Sequence, residues 1–105
     1  MSLLDEQPAP TPDVGDVWAE IIAETTHPVL RGLYEERRRQ GIERHGVPLQ
    51  RGNGRDHEAD AIQELVDAIC YLRAANRTKA QSIVEAVLLF TLERHDEETP
   101  CTTTP

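Results

Sequence analysis

Long apolar runs are missing from this chain. No stretch reaches the roughly 20 residues that a membrane-spanning helix requires. Aromatic residues are scarce, limited to Trp18, Tyr34, Tyr71 and Phe90, so aliphatic side chains must supply the core. Cysteine is confined to Cys70 and Cys101, which offers no disulfide framework. Cys70 falls within a helical pattern and reads as a small buried thiol, and Cys101 as an incidental residue of a Thr/Pro tail. Basic residues are outnumbered, 11 Lys and Arg against 19 Asp and Glu, for a net charge of −8. That balance excludes general affinity for nucleic acid polymers, whose phosphates would repel the chain. It leaves open a nucleotide that reaches the protein through a divalent metal. The opening "MSLLDEQPAP" is acidic and has no apolar core segment, so neither a secretory leader nor a membrane contact is expected, and a reducing cytoplasmic setting is.

Other signatures are absent too. There is no P-loop, no dinucleotide glycine fingerprint and no nucleophile elbow. His27, His45, His57 and His95 have no helical pairing with one another or with cysteine, so a zinc site is not expected. No segment alternates with period two, which excludes a sheet and leaves an all-α class, a small helical bundle of about four helices. At 105 residues the chain is one small domain, burying only about two-thirds of its unfolded surface. Association into an oligomer is the natural remedy for so thin a margin.

Residues 1–15, with Pro8, Pro10, Pro12 and Gly15, read as a disordered lead, and residues 97–105, "EETPCTTTP", as a disordered tail. Residues 16–96 form the domain. Asp16 is suited to cap a first helix, "VWAEIIAETTH", with Trp18, Ile21 and Ile22 on one side. Pro28 suits the first turn of a second helix that ends at Gly46. The loop "GVPLQRGNGR" follows, then Asp56 as the cap of a third helix running to about Ala75. The fourth, "TKAQSIVEAVLLFTLERH", is apolar at Ile83, Val84, Val87, Leu88 and Leu92.

The third helix poses the chemical question. At 100° per residue, Asp56, Asp60, Glu64, Asp67 and Tyr71 share an arc of about 80°. Ile62, Leu65, Val66, Ile69 and Leu72 spread over the opposite side. An ordinary amphipathic helix with a wet acidic face accounts for this. Yet like charges one turn apart cost roughly 0.2–0.5 kcal/mol per pair, and no Lys or Arg lies between Asp56 and Asp67. A divalent ion with hard oxygen ligands, Mg²⁺ or Mn²⁺, relieves that repulsion.

On the second helix the stripe begun by Val29 and Leu33 continues as Glu36, Gln40 and Glu43, among Arg37, Arg38, Arg39 and Arg44. Two readings stand. Either Glu–Arg pairs brace a surface helix, or Glu36 or Glu43 faces Glu64 and Asp67 across a helix pair, with arginines free for phosphate. The loop "PLQRGNGRD" also admits two readings. One is a plain turn and cap. The other has Asn53 touching a base or sugar while Arg55, just ahead of a helix N-terminus, meets an anion.

Residues 33–75, "LYEERRRQGIERHGVPLQRGNGRDHEADAIQELVDAICYLRAA", carry a resemblance. "YEER", "HGVPL", "NGRD", "DAIQELVD" and "YL" follow the order of motifs in small MazG-like proteins common in bacteriophages. The resemblance implies an all-α nucleoside triphosphate pyrophosphohydrolase that uses Mg²⁺ (or Mn²⁺) and assembles as a dimer or tetramer. If the chain is phage-encoded, it would act in the host cytoplasm. The broader family signature pairs Glu-x-x-Glu on one helix with Glu-x-x-Asp on the next. "ELVD" matches the second, marking Glu64 and Asp67 as metal-binding and catalytic residues. "QGIE" departs from the first, with Gln40 in place of an acid and Glu43 retained; Glu35 and Glu36 lie one turn earlier, and His45 stands where relatives often have Tyr. Asp60 would then assist from the third helix, with Glu36 or Glu43 from the second. Arg55 and Arg39 (or Arg38) would bind phosphate, and Asn53 the base or sugar. A non-catalytic helical module that binds a protein partner is the rival expectation.

Overall fold

The computed structural model describes residues 3–10 and 15–98, with side chains described up to residue 95. Among the described residues there are four α-helices and no strand: α1 Val17–Glu24, α2 Pro28–His45, α3 His57–Ala74 and α4 Thr78–Glu98. No helix among them is long and apolar enough to cross a membrane. The all-α class is therefore the observed one. The chain divides into two compact units. In the first, Pro8–Arg55, α1 packs on α2; in the second, α3 packs on α4.

Cap chemistry explains the helix limits. Asp16 accepts the Ala19 N–H at 3.0 Å and Asp56 the Ala59 N–H at 3.0 Å, each satisfying a donor that the first turn leaves orphaned. Pro28 opens α2 behind His27, whose Nδ1 accepts the Leu30 N–H at 3.4 Å. Gly46 closes α2 in the left-handed region at φ 82°, where a residue with a Cβ is strained. α1 stops at Glu24, short of the "TTH" expected to extend it. Thr25 and His27 are both extended there. The ring of Pro28 disfavours helical backbone at His27, and the Thr25 hydroxyl donates to the Ile21 carbonyl at 2.6 Å. At the other end, α4 runs on through Glu98, past the His95 at which it was expected to finish.

In the α1–α2 unit, the Trp18 and Tyr34 rings lie 5.8 Å apart. The Arg38 guanidinium donates twice to Asp16 Oδ2, from Nε at 2.9 Å and Nη2 at 2.7 Å. That hydrogen bond holds the Asp16 carboxyl below its ordinary pKa of 3.8, against the opposing effect of partial burial. A lowered native pKa stabilises the fold above the unfolded value and is lost as pH falls through the native one. Asp16→Ala is thus expected to cost about 1 kcal/mol at pH 7, mostly from the lost cap, since a half-exposed ion pair adds little. Helix circular dichroism during urea unfolding at pH 7 and near pH 3 checks this: the difference from wild type should shrink in acid.

In the α3–α4 unit, Ala59 and Ile62 are buried, with Leu65, Ile69 and Leu72 half-buried beside them. α4 contributes Gln81, Val84, Leu88, Leu92 and His95 at helical spacing. Arg73 Nε donates to the buried Gln81 Oε1 at 2.7 Å, which satisfies the amide oxygen. His95 Nδ1 lies 3.1 Å from Glu58 Oε1 but has no hydrogen-bond partner of good geometry among the described residues. The apolar residues of α4 split into two sets. Ile83, Val87, Leu89 and Phe90 point away from α3 and are exposed, Phe90 by 62%. Cys70, expected to be buried, is exposed. It stands one residue past Ile69, on the flank of the stripe that meets α4.

Candidate acidic site on the third helix

Asp56 begins the acidic stripe as the α3 cap. Asp60 follows one turn on, half-buried, and Glu64, Asp67 and Tyr71 are exposed, Tyr71 by 71%. The stripe and the buried Ala59–Ile62 side lie on opposite flanks of the helix, as the periodicity requires. Among the described residues, no side chain pairs with or hydrogen-bonds to the carboxylates of Glu64 and Asp67. Asp60 accepts at 2.8 Å from Nε2 of Gln7, in the N-terminal segment.

α2 is arranged differently, and its acids have bases within a turn. Arg39 hydrogen-bonds to Glu36 and reaches Glu43 Oε2 from Nη1 at 3.0 Å. Gln40 Nε2 donates to Glu36 at 3.2 Å, Arg37 Nη1 to Gln40 Oε1 at 2.7 Å, and Arg31 pairs with Glu35 at 3.2 Å. The Arg39 hydrogen bond lowers the Glu36 pKa, and the same contact raises that of Arg39. Of the two readings open for this helix, the structure has the braced surface: Glu36 and Glu43 are occupied by Arg39, and Arg38 by Asp16. Glu36 and Glu43 belong to the α1–α2 unit, and Asp60, Glu64 and Asp67 to the α3–α4 unit.

The loop before α3 is a built turn. Asn53 is only 4% exposed, and its Oδ1 accepts the Arg55 N–H at 3.1 Å across Gly54, which has φ 83°. Such an Asx turn uses Asn for its own backbone. The Arg55 guanidinium donates to the Pro8 carbonyl at 2.8 Å. Arg51 Nη2 bridges both Glu20 oxygens at 2.7 and 2.8 Å, and the Val17 N–H donates to the Leu49 carbonyl at 3.0 Å, tying the loop to α1. A groove of about 380 Å³ between α1 and α2 is lined by Ala19, Ile22, Ala23, Arg31, Glu35 and Arg38. Its two cations already face Glu35 and Asp16.

Among the described residues, no three His, Cys, Asp or Glu side chains converge into a metal cage. The α3 donors are nevertheless the right kind for one class of ion. They are hard carboxylate oxygens, open to solvent and one turn apart. Mg²⁺ keeps several waters and takes one or two carboxylates, filling its other positions with phosphate oxygens. Glu64 and Asp67 are two such carboxylates, both exposed.

No protein-family model, curated protein or solved structure matches the chain.

Sequence reasoning missed Gln7 and Gln63. Gln63 Nε2 donates to the carbonyls of Leu3 at 2.7 Å and Asp5 at 3.2 Å. Nothing in a Pro-rich acidic lead marks a lone Gln as the partner of a helix 49 positions away.

Proposed function

We propose that the chain is a nucleoside triphosphate pyrophosphohydrolase that uses Mg²⁺ or Mn²⁺ at the α3 stripe. The observation that carries this reading is the contrast between two helices of one chain. Every described α2 acid named above has a base or amide within a turn, whereas Glu64 and Asp67 are left without any such partner among the described residues. The resemblance of residues 33–75 to MazG-like proteins supplies the reaction.

Glu64 and Asp67 hold the ion, with Asp60 assisting. When bound, the ion supplies charge neutralisation for phosphate oxygens and acidifies water. Arg55, immediately before α3 in the chain, orients the phosphates. A carboxylate not engaged in binding takes the proton from the attacking water. Water then adds to the α-phosphorus, and the bond to the bridging oxygen of pyrophosphate breaks, giving monophosphate and pyrophosphate. Base or sugar contact falls to the Asn53 loop. The outward Ile83, Val87, Leu89 and Phe90 face of α4 supports assembly as a homodimer or homotetramer, in a cytoplasmic setting.

The same α4 face favours a second reading, a non-catalytic module that binds a protein partner. Pyrophosphate release, measured with each common ribo- and deoxyribonucleoside triphosphate and with Mg²⁺ or Mn²⁺, separates the two. Release from at least one triphosphate is expected. Release from none would leave the interaction module.

A further inference from the structure

We propose that a second copy of this chain covers the outward face of α4, with its own α4 running antiparallel across a twofold axis. This rests on the homo-oligomer named above, to which it gives a contact surface and a register, and it does not depend on the cation site.

α4 carries two stripes. Gln81, Val84, Leu88, Leu92 and His95 are the less exposed one. On the other side Ile83, Val87 and Phe90 follow at steps of four and three, and they are 59%, 46% and 62% exposed. That is the spacing of a seam between two helices, and a contiguous apolar set left in water marks an interaction surface. Ala80, half-buried, extends the seam ahead of Ile83. Leu89 lies off it. Lys79 and Glu93 flank the seam on one side with Ala86 between them, all three exposed. Neither Lys79 nor Glu93 has an ion pair among the described residues.

These side chains select the occupant. Let the seam pair with itself antiparallel, so that Ile83 meets the partner's Val87. Phe90 then lies over the partner's Ala80, a large side chain against a small one. Residues on the same flank of two antiparallel helices are neighbours, so Lys79 comes beside the partner's Glu93. A twofold contact makes each of these pairs twice. Ala86 meets the partner's Ala86 near the axis, where a small residue lets the helices approach. A parallel pair would set Phe90 on the partner's Phe90 and Ala80 on the partner's Ala80, a bulge beside a void. It would also put Lys79 beside the partner's Val84, with no acid to meet.

Sedimentation of the full chain across a dilution series tests this. Wild type should be a reversible dimer. Lys79→Glu and Glu93→Lys each turn two attractive pairs into like-charge pairs, and each should weaken the dimer about tenfold. The double variant should recover wild-type affinity, and so should an equimolar mixture of the two single variants. Phe90→Ala should weaken the dimer about thirtyfold, the loss of an apolar anchor, with helix circular dichroism unchanged because Phe90 is exposed in the protomer. A monomeric wild type would overturn the seam and leave the face to a different protein. A dimer indifferent to the single charge reversals, or a double variant no tighter than the single ones, would overturn it as well. Pyrophosphate release from the same wild-type sample separates this from the enzymatic reading. A dimer without release keeps the seam and removes the hydrolase, and release from a monomer does the reverse.

Discussion

Glu64→Gln is expected to lower Mn²⁺-supported pyrophosphate release by about 10²- to 10³-fold. The substitution keeps the shape of the side chain and removes its charge. An ion that contributes several kcal/mol to transition-state charge stabilisation loses a large part of that effect with one of its few protein ligands, and each 1.36 kcal/mol is tenfold in rate. Glu64 is exposed and has no partner among the described residues, so its neutral variant breaks no contact in the fold. The metal-free melting temperature should hold or rise slightly, because a like-charge neighbour at Asp60 or Asp67 is relieved. Activity that falls together with metal-free stability would point to a structural role for Glu64.

Ile62→Ala is expected to destabilise the α3–α4 unit by about 3 kcal/mol, within the range for emptying an aliphatic core position. Ile62 is 2% exposed and with Ala59 makes up the buried hydrophobic set among the described residues. Its neighbours on the stripe are only half-buried, so little else holds this end of the helix pair. Against a total stability of 5–15 kcal/mol for ordinary domains, such a loss is large. Val66→Ala is the control: Val66 is exposed and its truncation should cost less than about 1 kcal/mol. Urea unfolding of both variants checks the ranking, and equal costs would contradict the assigned core.

The parts of the fold legible in the sequence are those with local chemistry. Asp16, Pro28, Gly46 and Asp56 each mark a helix end through a hydrogen bond or a backbone angle that a neighbouring residue sets. The phase of α3 was legible because its apolar and acidic residues separate cleanly around the axis. α4 gave no phase, because Ile83, Val84, Val87, Leu88 and Leu92 are apolar on both sides, and only packing against α3 tells Val84 from Val87. The candidate site on α3 is a reading of spacing and resemblance. Glu64 and Asp67 stand out from spacing, and the alternative of Arg-braced acids on α2 was visible as i,i+3 and i,i+4 pairs. Contacts across long stretches of chain left no such trace: Arg38 on Asp16, Arg51 on Glu20, and Gln7 on Asp56 and Asp60.

The central claim is that Glu64 and Asp67 carry their crowded charge because a divalent ion joins them in the folded chain. Thermal melting with and without Mn²⁺, in wild type and in Glu64→Ala, tests it most directly. An ion bound only by the folded state, at about a hundred times its dissociation constant, adds about 2.7 kcal/mol. The wild-type melting temperature should therefore rise by about 10 °C, and Glu64→Ala should show no rise. A wild-type melt that Mn²⁺ leaves unchanged, or a rise that Glu64→Ala fully retains, would contradict the claim.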